Sequence, residues 1–265
     1  MSEEATRQSS PEQFERAAKI LGSAKHAICL TGAGLSVESG IPPFRGPGGI
    51  WTKHGEPPMD GYQRFLRDPA AAWRERANPE GPMKAFAEKL FSARPNDGHH
   101  ALVELERLGV LRCLITQNVD NLHRAAGHKE VLEIHGNATF VRCIDCISRW
   151  PRDAIQVDLE HLPPRCEACG GIMKSDTVHF GEPIPRDVLE KCMDHGGRAD
   201  CCLVAGTSAT VYPAAQIPLD VLNRGGHLIE VNLYESEITA QCAVSLRGPA
   251  AATLTRLSKL VRAAA

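Results

Sequence analysis

The chain has 265 residues, of which 43% are hydrophobic and 23% charged, with a formal net charge of -2 at pH 7. This composition is typical of a globular protein with a sizeable core. The charge balance argues against a general nucleic-acid or anionic-membrane surface, and no apolar stretch approaches the length of a membrane span. The start, Met1 to Ser10, is polar and lacks the apolar core of a signal peptide, so we expect a cytoplasmic protein.

Apolar runs alternate with helical patterns along the chain. The predicted helices are 11–24, 96–108, 185–195, 213–223 and 249–262. The predicted strands are 27–30, 111–116, 131–134, 200–205 and 227–231. Residues 46–92, rich in Pro and Gly, show weaker helical periodicity and are interpreted as a small helical insertion. Strands that alternate with helices favour a parallel, doubly wound sheet of the α/β class.

The most informative segment, Thr31 to Gly46, directly follows the first predicted strand. Gly32 and Gly34 would let backbone N–H groups approach a phosphate closely. A glycine and two prolines then interrupt the helix with which an ordinary dinucleotide-binding turn continues, and Phe44-Arg45 follows them. Such a loop can cover a cofactor as well as cradle it. The alternative interpretation is a plain Gly/Pro-rich turn.

Four of the ten cysteines form two Cys-x-x-Cys pairs separated by nineteen residues: Cys143, Cys146, Cys166 and Cys169. This spacing predicts a zinc site, and four thiolates would make it structural because they leave no open coordination position. The alternatives are two unconnected pairs or a redox dithiol. Four further cysteines lie in strand-like apolar runs and are expected in the core: Cys29, Cys113, Cys201 and Cys202.

Polar residues follow two other predicted strands. The segment Gln117 to Asp120 comes after the second strand, and His135 comes after the third. Ligands bind at the carboxyl ends of the strands in open parallel sheets, so these residues share a rim with the glycine turn. Taken alone, Asn118 and Asp120 are better explained as helix caps, and a lone histidine as structural. On this rim, however, a histidine with a pKa near neutrality could take a proton from a sugar hydroxyl.

These motifs occur in the order found in sirtuins, the NAD-dependent protein lysine deacylases, which the chain resembles over about residues 11–262. The matching motifs are Thr31–Gly46, Gln117–Asp120, Glu133–Gly136, the four paired cysteines, Val178–Glu182, Gly206–Ser208, Val211–Ala214 and Val231-Asn232. The best fit is to prokaryotic-type members. The resemblance implies one catalytic domain over 1–265. Its parts would be a Rossmann-like core (about 11–45, 93–140 and 175–262), a helical insertion 46–92 and a zinc-ribbon module 141–174.

The resemblance also implies residue roles. His135 would be the general base, and Asn118 a second catalytic residue in the nicotinamide pocket. Contacts with NAD, the co-substrate, are implied for Gly32, Ala33, Gly34, Ser36, Phe44, Arg45, Gln117, Asn118, Asp120, His135, Gly206, Thr207, Ser208, Asn232 and Ala250. An acylated-lysine protein substrate would pair with Val178, Phe180 and Gly181 as an added strand. The products would be nicotinamide, O-acyl-ADP-ribose and free lysine, and one structural zinc would bind per chain.

The chain departs from the family pattern at two places. Pro43 stands where many members have Asp or Thr, and proline removes a backbone donor. Members that favour succinyl-lysine present Tyr-x-x-Arg near residues 73–79, and this stretch has no tyrosine. We therefore expect a preference for acetyl or other uncharged acyl groups over succinyl. Arg74 or Arg76 could still meet an acidic acyl group, which would give a desuccinylase-type preference, but we interpret both as solvent-exposed helix charges.

Three other functions compete with deacylation. An ADP-ribosyltransferase would use the same NAD site with a different nucleophile. A non-enzymatic NAD sensor would be expected to lack the base or the polar pocket groups, whereas Asn118, Asp120 and His135 are all present. A zinc-ribbon nucleic-acid binder is disfavoured by the charge balance.

Overall fold

The computed structural model describes residues 9–264, so the expectation drawn from Met1 to Ser10 falls mainly outside this range. The helices are α1 Pro11–Ser23, α2 Ile50–His54, α3 Gly61–Arg67, α4 Pro69–Ala77, α5 Gly81–Ser92, α6 Asp97–Arg107, α7 Leu122–Ala126, α8 Arg186–Arg198, α9 Gln216–Asn223 and α10 Ala250–Ala264. The strands are β1 Ala27–Thr31, β2 Leu111–Thr116, β3 Val131–Glu133, β4 Phe140–Cys143, β5 Arg149–Pro151, β6 Met173–Ser175, β7 Cys201–Ala205, β8 His227–Asn232 and β9 Val244–Arg247.

Six strands form one sheet in the order β3-β2-β1-β7-β8-β9, and every neighbouring pair is parallel. All five residues of β1 are buried, as expected for a central strand covered on both faces. Ala27 and Cys29 enter one hydrophobic cluster, whereas Ile28 and Leu30 enter the other, because successive side chains point to opposite faces. The predicted parallel α/β sheet is confirmed.

Local sequence signals account for several element boundaries. The Asn96 side chain accepts hydrogen bonds from the N–H groups of Gly98 at 2.9 Å and His99 at 3.4 Å, and so caps α6 as predicted. The glycine turn continues into a 3-10 helix, Ala33–Ser39, that ends at Gly40 with φ 90°. Strand β9 was not predicted, because its four residues alternate between buried and half-buried positions and carry little apolar signal.

A second sheet of three antiparallel strands, in the order β5-β4-β6, carries the paired cysteines. Its core contains Trp73 from α4 together with Cys143, Cys166 and Met173. The Trp73 indole Nε1–H donates to the Met173 carbonyl at 2.7 Å, which joins the helices of the insertion to this sheet. The four cysteines expected in the core are buried on the two faces of the six-stranded sheet, Cys29 and Cys201 in one cluster and Cys113 and Cys202 in the other. None of the helices within residues 9–264 combines the length and apolarity needed to cross a membrane.

Candidate functional site

A cavity of about 1180 Å³ opens at the carboxyl ends of the central strands. It brings together sixteen of the residues proposed from the sequence: Gly32, Ala33, Gly34, Phe44, Arg45, Gln117, Asn118, His135, Val178, Phe180, Gly181, Gly206, Thr207, Ser208, Asn232 and Ala250. Ser36 and Asp120 are buried behind this wall rather than in it. The cavity thus lies at the carboxyl ends of the strands, which is where open parallel sheets bind their ligands.

Two glycine turns, which follow β1 and β7, touch each other at the base of the cavity. The Gly34 N–H donates to the Gly206 carbonyl at 2.7 Å. A Cβ atom on Gly34 would lie 2.8 Å from that carbonyl oxygen, and one on Gly206 would lie 2.3 Å from the Leu35 nitrogen. Gly206 also has φ 63°. Only glycine satisfies this contact, which leaves bare backbone beside the cavity for a phosphate group.

Arg45 holds the loop after the first glycine turn in place at the opening of the cavity. Its guanidinium donates to the Glu56 carboxylate at 2.9 Å and to the Thr210 hydroxyl at 3.1 Å, and lies 4.7 Å from the centre of the Trp51 ring. The Pro43 carbonyl accepts from the Ile50 N–H at 2.9 Å. The loop thus covers one side of the cavity.

His135 has a defined tautomer. Its Nδ1 atom lies 3.2 Å from the Gln117 carbonyl oxygen, and since a carbonyl can only accept, Nδ1 carries the proton. The lone pair is therefore on Nε2. Burial lowers the pKa of His135 below its ordinary value, so the ring is neutral at pH 7. A neutral imidazole with a free Nε2 can act as a general base.

Asn118 is held by buried polar partners. Its Nδ2 group donates to the Gly32 carbonyl at 3.0 Å and to the Ser36 hydroxyl at 3.2 Å, so Oδ1 remains the acceptor available to a ligand. Ser36 in turn donates to Asp120. The second Asp120 oxygen accepts from the Leu122 N–H, the first of α7, at 3.0 Å, although the N-cap position of this helix is Asn121. Burial raises the pKa of this carboxyl.

The segment proposed for substrate binding, Val178–Gly181, forms part of the cavity wall but is not a strand of either sheet. Its first N–H, from Val178, donates to the His135 carbonyl at 2.9 Å. The Phe180 carbonyl accepts from the Tyr62 N–H at 3.0 Å, and the Gly181 carbonyl accepts from Gln63 Nε2 at 3.4 Å. The segment is therefore held between the sheet and α3.

The four paired cysteines converge: their sulfur atoms all lie within 4.8 Å of one another. The Sγ atoms of Cys143 and Cys169 are 3.5 Å apart, and those of Cys146 and Cys166 are 3.6 Å apart. Zn–S bonds of about 2.3 Å in a tetrahedral site require sulfur separations of about 3.8 Å. The cluster therefore fits one structural zinc ion.

Comparison with known proteins places this chain in a family. The Sir2 family model matches residues 32–213. NAD-dependent protein deacylase 1 of Archaeoglobus fulgidus is 42% identical over 255 residues, covering 94% of this chain and 98% of that protein. The chain belongs to the Sir2 family. The NAD-dependent protein deacylase of Thermococcus kodakarensis is 43% identical over 250 residues, covering 93% of this chain and 95% of that protein.

Solved Sir2 structures have the same fold. A Sir2 homolog–NAD complex has a TM-score of 0.79 and 43% identity, covering 94% of each chain. A Sir2 structure described with a deacetylated p53 peptide and 3′-O-acetyl ADP-ribose has a TM-score of 0.78 and 32% identity, covering 93% of this chain and 97% of that one.

Sequence reasoning missed several residues of this Sir2 cavity. Met59 and Tyr212 line it and are 69% and 63% exposed, and Trp51, His179 and Tyr234 line it as well. They lie in or beside irregular segments, where periodicity carries no signal. His179 lies within the matching motif Val178–Glu182 and Tyr212 within Val211–Ala214, and those motifs were the indication in the sequence. Burial lowers the pKa of His179 to about 4, so it is neutral at pH 7.

The two arginines of α4 differ in environment. Arg74 is exposed, as predicted. Arg76 is half-buried and donates to the Ala138 carbonyl at 3.2 Å, so its interpretation as an exposed charge is wrong. Ala138 in turn donates to the carbonyl of Val119, a cavity-lining residue, at 2.8 Å. Arg76 therefore lies behind the cavity wall, and burial lowers its pKa to about 10.

Proposed function

We propose that this chain removes acyl groups, above all acetyl, from protein lysine side chains in a reaction that consumes NAD and one water molecule and yields nicotinamide, O-acyl-ADP-ribose and free lysine. Family membership and relatives named NAD-dependent protein deacylases support an enzyme of this class. The main structural support is His135, a neutral imidazole on the cavity wall whose Nε2 is unprotonated. Residues 1–265 would form one catalytic domain, a Rossmann-like core with the helical insertion 46–92 and the zinc-ribbon module 141–174.

The cavity fits NAD. Two glycine turns in contact expose backbone to a pyrophosphate, and amide side chains such as Gln117 and Asn232 are available for hydrogen bonds with the sugars. Gln117 Nε2 donates to the Thr207 hydroxyl at 2.9 Å, and Asn232 Nδ2 donates to the Thr207 carbonyl at 2.9 Å, so both amides are pre-oriented. When bound, NAD supplies a ribose carbon whose bond to nicotinamide can be exchanged for one to the acyl oxygen.

His135 and Asn118 would have separate roles in the reaction. His135 Nε2 would take a proton from a ribose hydroxyl, while the Gln117 carbonyl holds Nδ1–H and stabilises the ring when it becomes charged. Asn118 would present Oδ1 to the nicotinamide side, in an orientation fixed by Gly32 and Ser36. The Arg45 loop would exclude water from the reacting groups.

The substrate and the location complete the proposal. An acylated lysine of a protein would enter beside Val178, Phe180 and Gly181, which line the cavity. A cytoplasmic location is supported by the cysteines, since four can bind zinc as thiolates and the other six form no disulfide within residues 9–264, which suits a reducing compartment.

The test is a panel of acyl-lysine peptides incubated with the zinc-loaded enzyme and NAD, with products identified by mass spectrometry. We expect free lysine, nicotinamide and O-acyl-ADP-ribose in equal amounts. An ADP-ribosylated peptide or protein, with the acyl group still attached to lysine, would favour the transferase alternative instead.

A further inference from the structure

Glu182, the residue that directly follows the segment Val178–Gly181, is an almost fully buried carboxylate, with its side chain 4% exposed. Its Oε2 atom accepts from the His179 N–H at 2.8 Å, while its own N–H donates to the His179 carbonyl at 3.0 Å. These two hydrogen bonds close the turn 179–182 from both sides. The side chain of Glu182 thus determines the backbone path of Phe180 and Gly181.

Two buried cations hold Glu182. Lys174 donates from Nζ to Oε2 at 3.0 Å, and Arg142 donates from Nη2 to Oε1. These cations face each other across the antiparallel pair β4 and β6. Arg142 directly precedes the cysteine ligand Cys143, so the sheet that carries the zinc cluster is also the sheet that anchors the turn.

The Lys174 ammonium is fully satisfied. Besides Glu182, it donates to the carbonyls of Ser175 at 2.8 Å and Thr177 at 2.7 Å, and the residue is 1% exposed. Apolar residues of similar volume often stabilise a fold as well as a buried ion pair does, because the desolvation of both charges offsets their attraction. Stability alone therefore does not explain these charges, whereas the defined shape of the turn does.

The turn leaves three backbone groups of the segment available. Within residues 9–264, no hydrogen bond occupies the Val178 carbonyl, the Phe180 N–H or the Gly181 N–H, whereas the other N–H and carbonyl groups from the Val178 N–H to the Gly181 carbonyl are engaged. A carbonyl and an N–H two residues apart match the pattern with which one strand receives another. All five residues from Val178 to Glu182 line the cavity.

We propose that Glu182, held by Arg142 and Lys174, is a positioning residue for the acyl-lysine peptide: it fixes the turn 179–182 so that Val178 and Phe180 present a carbonyl and an N–H to the peptide backbone. This inference rests on the proposed function, since it takes the acyl-lysine peptide as the ligand of the segment. Cys143 and Met173 connect the cations to the zinc cluster, so the cluster supports substrate binding as well as the fold.

The test compares peptide binding with stability. The double variant Glu182→Met/Lys174→Met removes one anion and one cation and leaves Arg142 beside Asp176, 4.0 Å away. The control is Arg149→Gln, because Arg149 belongs to the same sheet and pairs with Glu133 and Asp176. Binding of a fluorescein-labelled acetyl-lysine peptide to zinc-loaded protein is measured by anisotropy with ADP-ribose present, so that no turnover occurs.

We expect the double variant to keep its melting temperature, zinc content and ADP-ribose affinity, and to bind the peptide at least about tenfold more weakly. The control should bind it as the wild type does. Wild-type peptide affinity in the double variant would overturn the positioning role. If that variant does not fold, Glu182→Gln is judged by the same comparison. Failure of the proposed function is recognised separately, as wild-type protein that releases no nicotinamide from NAD with this peptide.

Discussion

The Ser36 hydroxyl donates a hydrogen bond of 2.6 Å to the Asp120 carboxylate, and both side chains are buried directly behind the cavity wall. The same hydroxyl accepts from Asn118 Nδ2. Ser36 therefore connects the first glycine turn to the polar turn after β2. It also fixes the orientation of the Asn118 side-chain amide, which belongs to the polar turn and donates to the glycine turn. In the proposed mechanism, the nicotinamide side therefore depends on this pair, although neither residue lines the cavity.

We predict that Ser36→Ala lowers kcat/KM for NAD by about tenfold to a hundredfold, because Asn118 loses one of its two fixed partners and a small misplacement of a reacting group is costly. Steady-state kinetics with varied NAD measure this. Ser39→Ala is the matched control: it lies on the same 3-10 helix, and its hydroxyl accepts from Asn96. Equal effects of the two substitutions would contradict the role of Ser36.

We predict that His135→Ala reduces deacylation by about a hundredfold to ten-thousandfold, the range typical of a general base, while the protein stays folded and binds NAD. Turnover is measured by nicotinamide release and NAD affinity by calorimetry. His100→Ala, at an exposed position on α6, is the control and should be silent. Near-wild-type turnover in folded His135→Ala would remove the residue from the mechanism.

The pH dependence of kcat/KM follows from the environment of His135. Burial lowers its pKa below the ordinary value, and the base works only when neutral. Activity is therefore full above the ordinary value of about 6.5 and is lost as the pH falls through the lowered pKa. We expect the midpoint of the acid limb below about pH 6.5. A midpoint above neutrality would contradict burial as the dominant influence on this group.

We predict one zinc ion per chain and a loss of stability on Cys166→Ser that precedes the loss of activity. Cys166 is buried beside Trp73 and Met173, so its removal disturbs a shared core as well as the coordination shell. Elemental analysis, thermal unfolding and tryptophan emission follow the change. The control is Cys242→Ser, a half-buried cysteine packed against the core of the six-stranded sheet rather than the zinc cluster. Active, freshly purified protein without zinc would refute the site.

The parts of the fold that sequence predicted are those with local signals. The parallel sheet followed from uniformly apolar strands such as β1, and α6 followed from its Asn96 cap. Strand β9 was missed because edge strands are short and mixed in polarity. The strands of the antiparallel sheet around the cysteines were missed as well, since their register depends on contacts between distant segments.

The candidate site likewise has features that the sequence predicted and features that only the structure shows. Ordered motifs located His135 and both glycine turns, but they did not distinguish cavity-lining residues from supporting ones such as Ser36 and Asp120. That distinction depends on which side of a turn a side chain occupies. The sequence likewise did not predict the inward position of Arg76, because a nine-residue helix rich in alanine and arginine has no clear apolar face.

The position of Arg76 is the basis for predicting a preference for acetyl over succinyl groups. A succinyl carboxylate in the cavity needs a cation, and an unpaired buried carboxylate costs several kcal/mol. Arg76 is committed to the Ala138 carbonyl and lies behind Val119, while Arg74 is exposed on the other side of α4. We therefore predict that an acetyl-lysine peptide is processed at least about tenfold more efficiently, by kcat/KM, than its succinyl counterpart at equal NAD.

Two variants test whether Arg76 binds the carboxylate of a succinyl group. Arg76→Ala should leave the ratio of acetyl to succinyl turnover unchanged within about twofold, and Arg74→Ala, its exposed neighbour, should do the same. The measurement is kcat/KM for both peptides with wild type and both variants. Faster desuccinylation by the wild type, lost in Arg76→Ala and retained in Arg74→Ala, would mean that Arg76 swings from Ala138 into the cavity and binds the acyl carboxylate. In that case the wall formed by Val119 and Ala138 opens on substrate binding, and the acetyl preference is wrong.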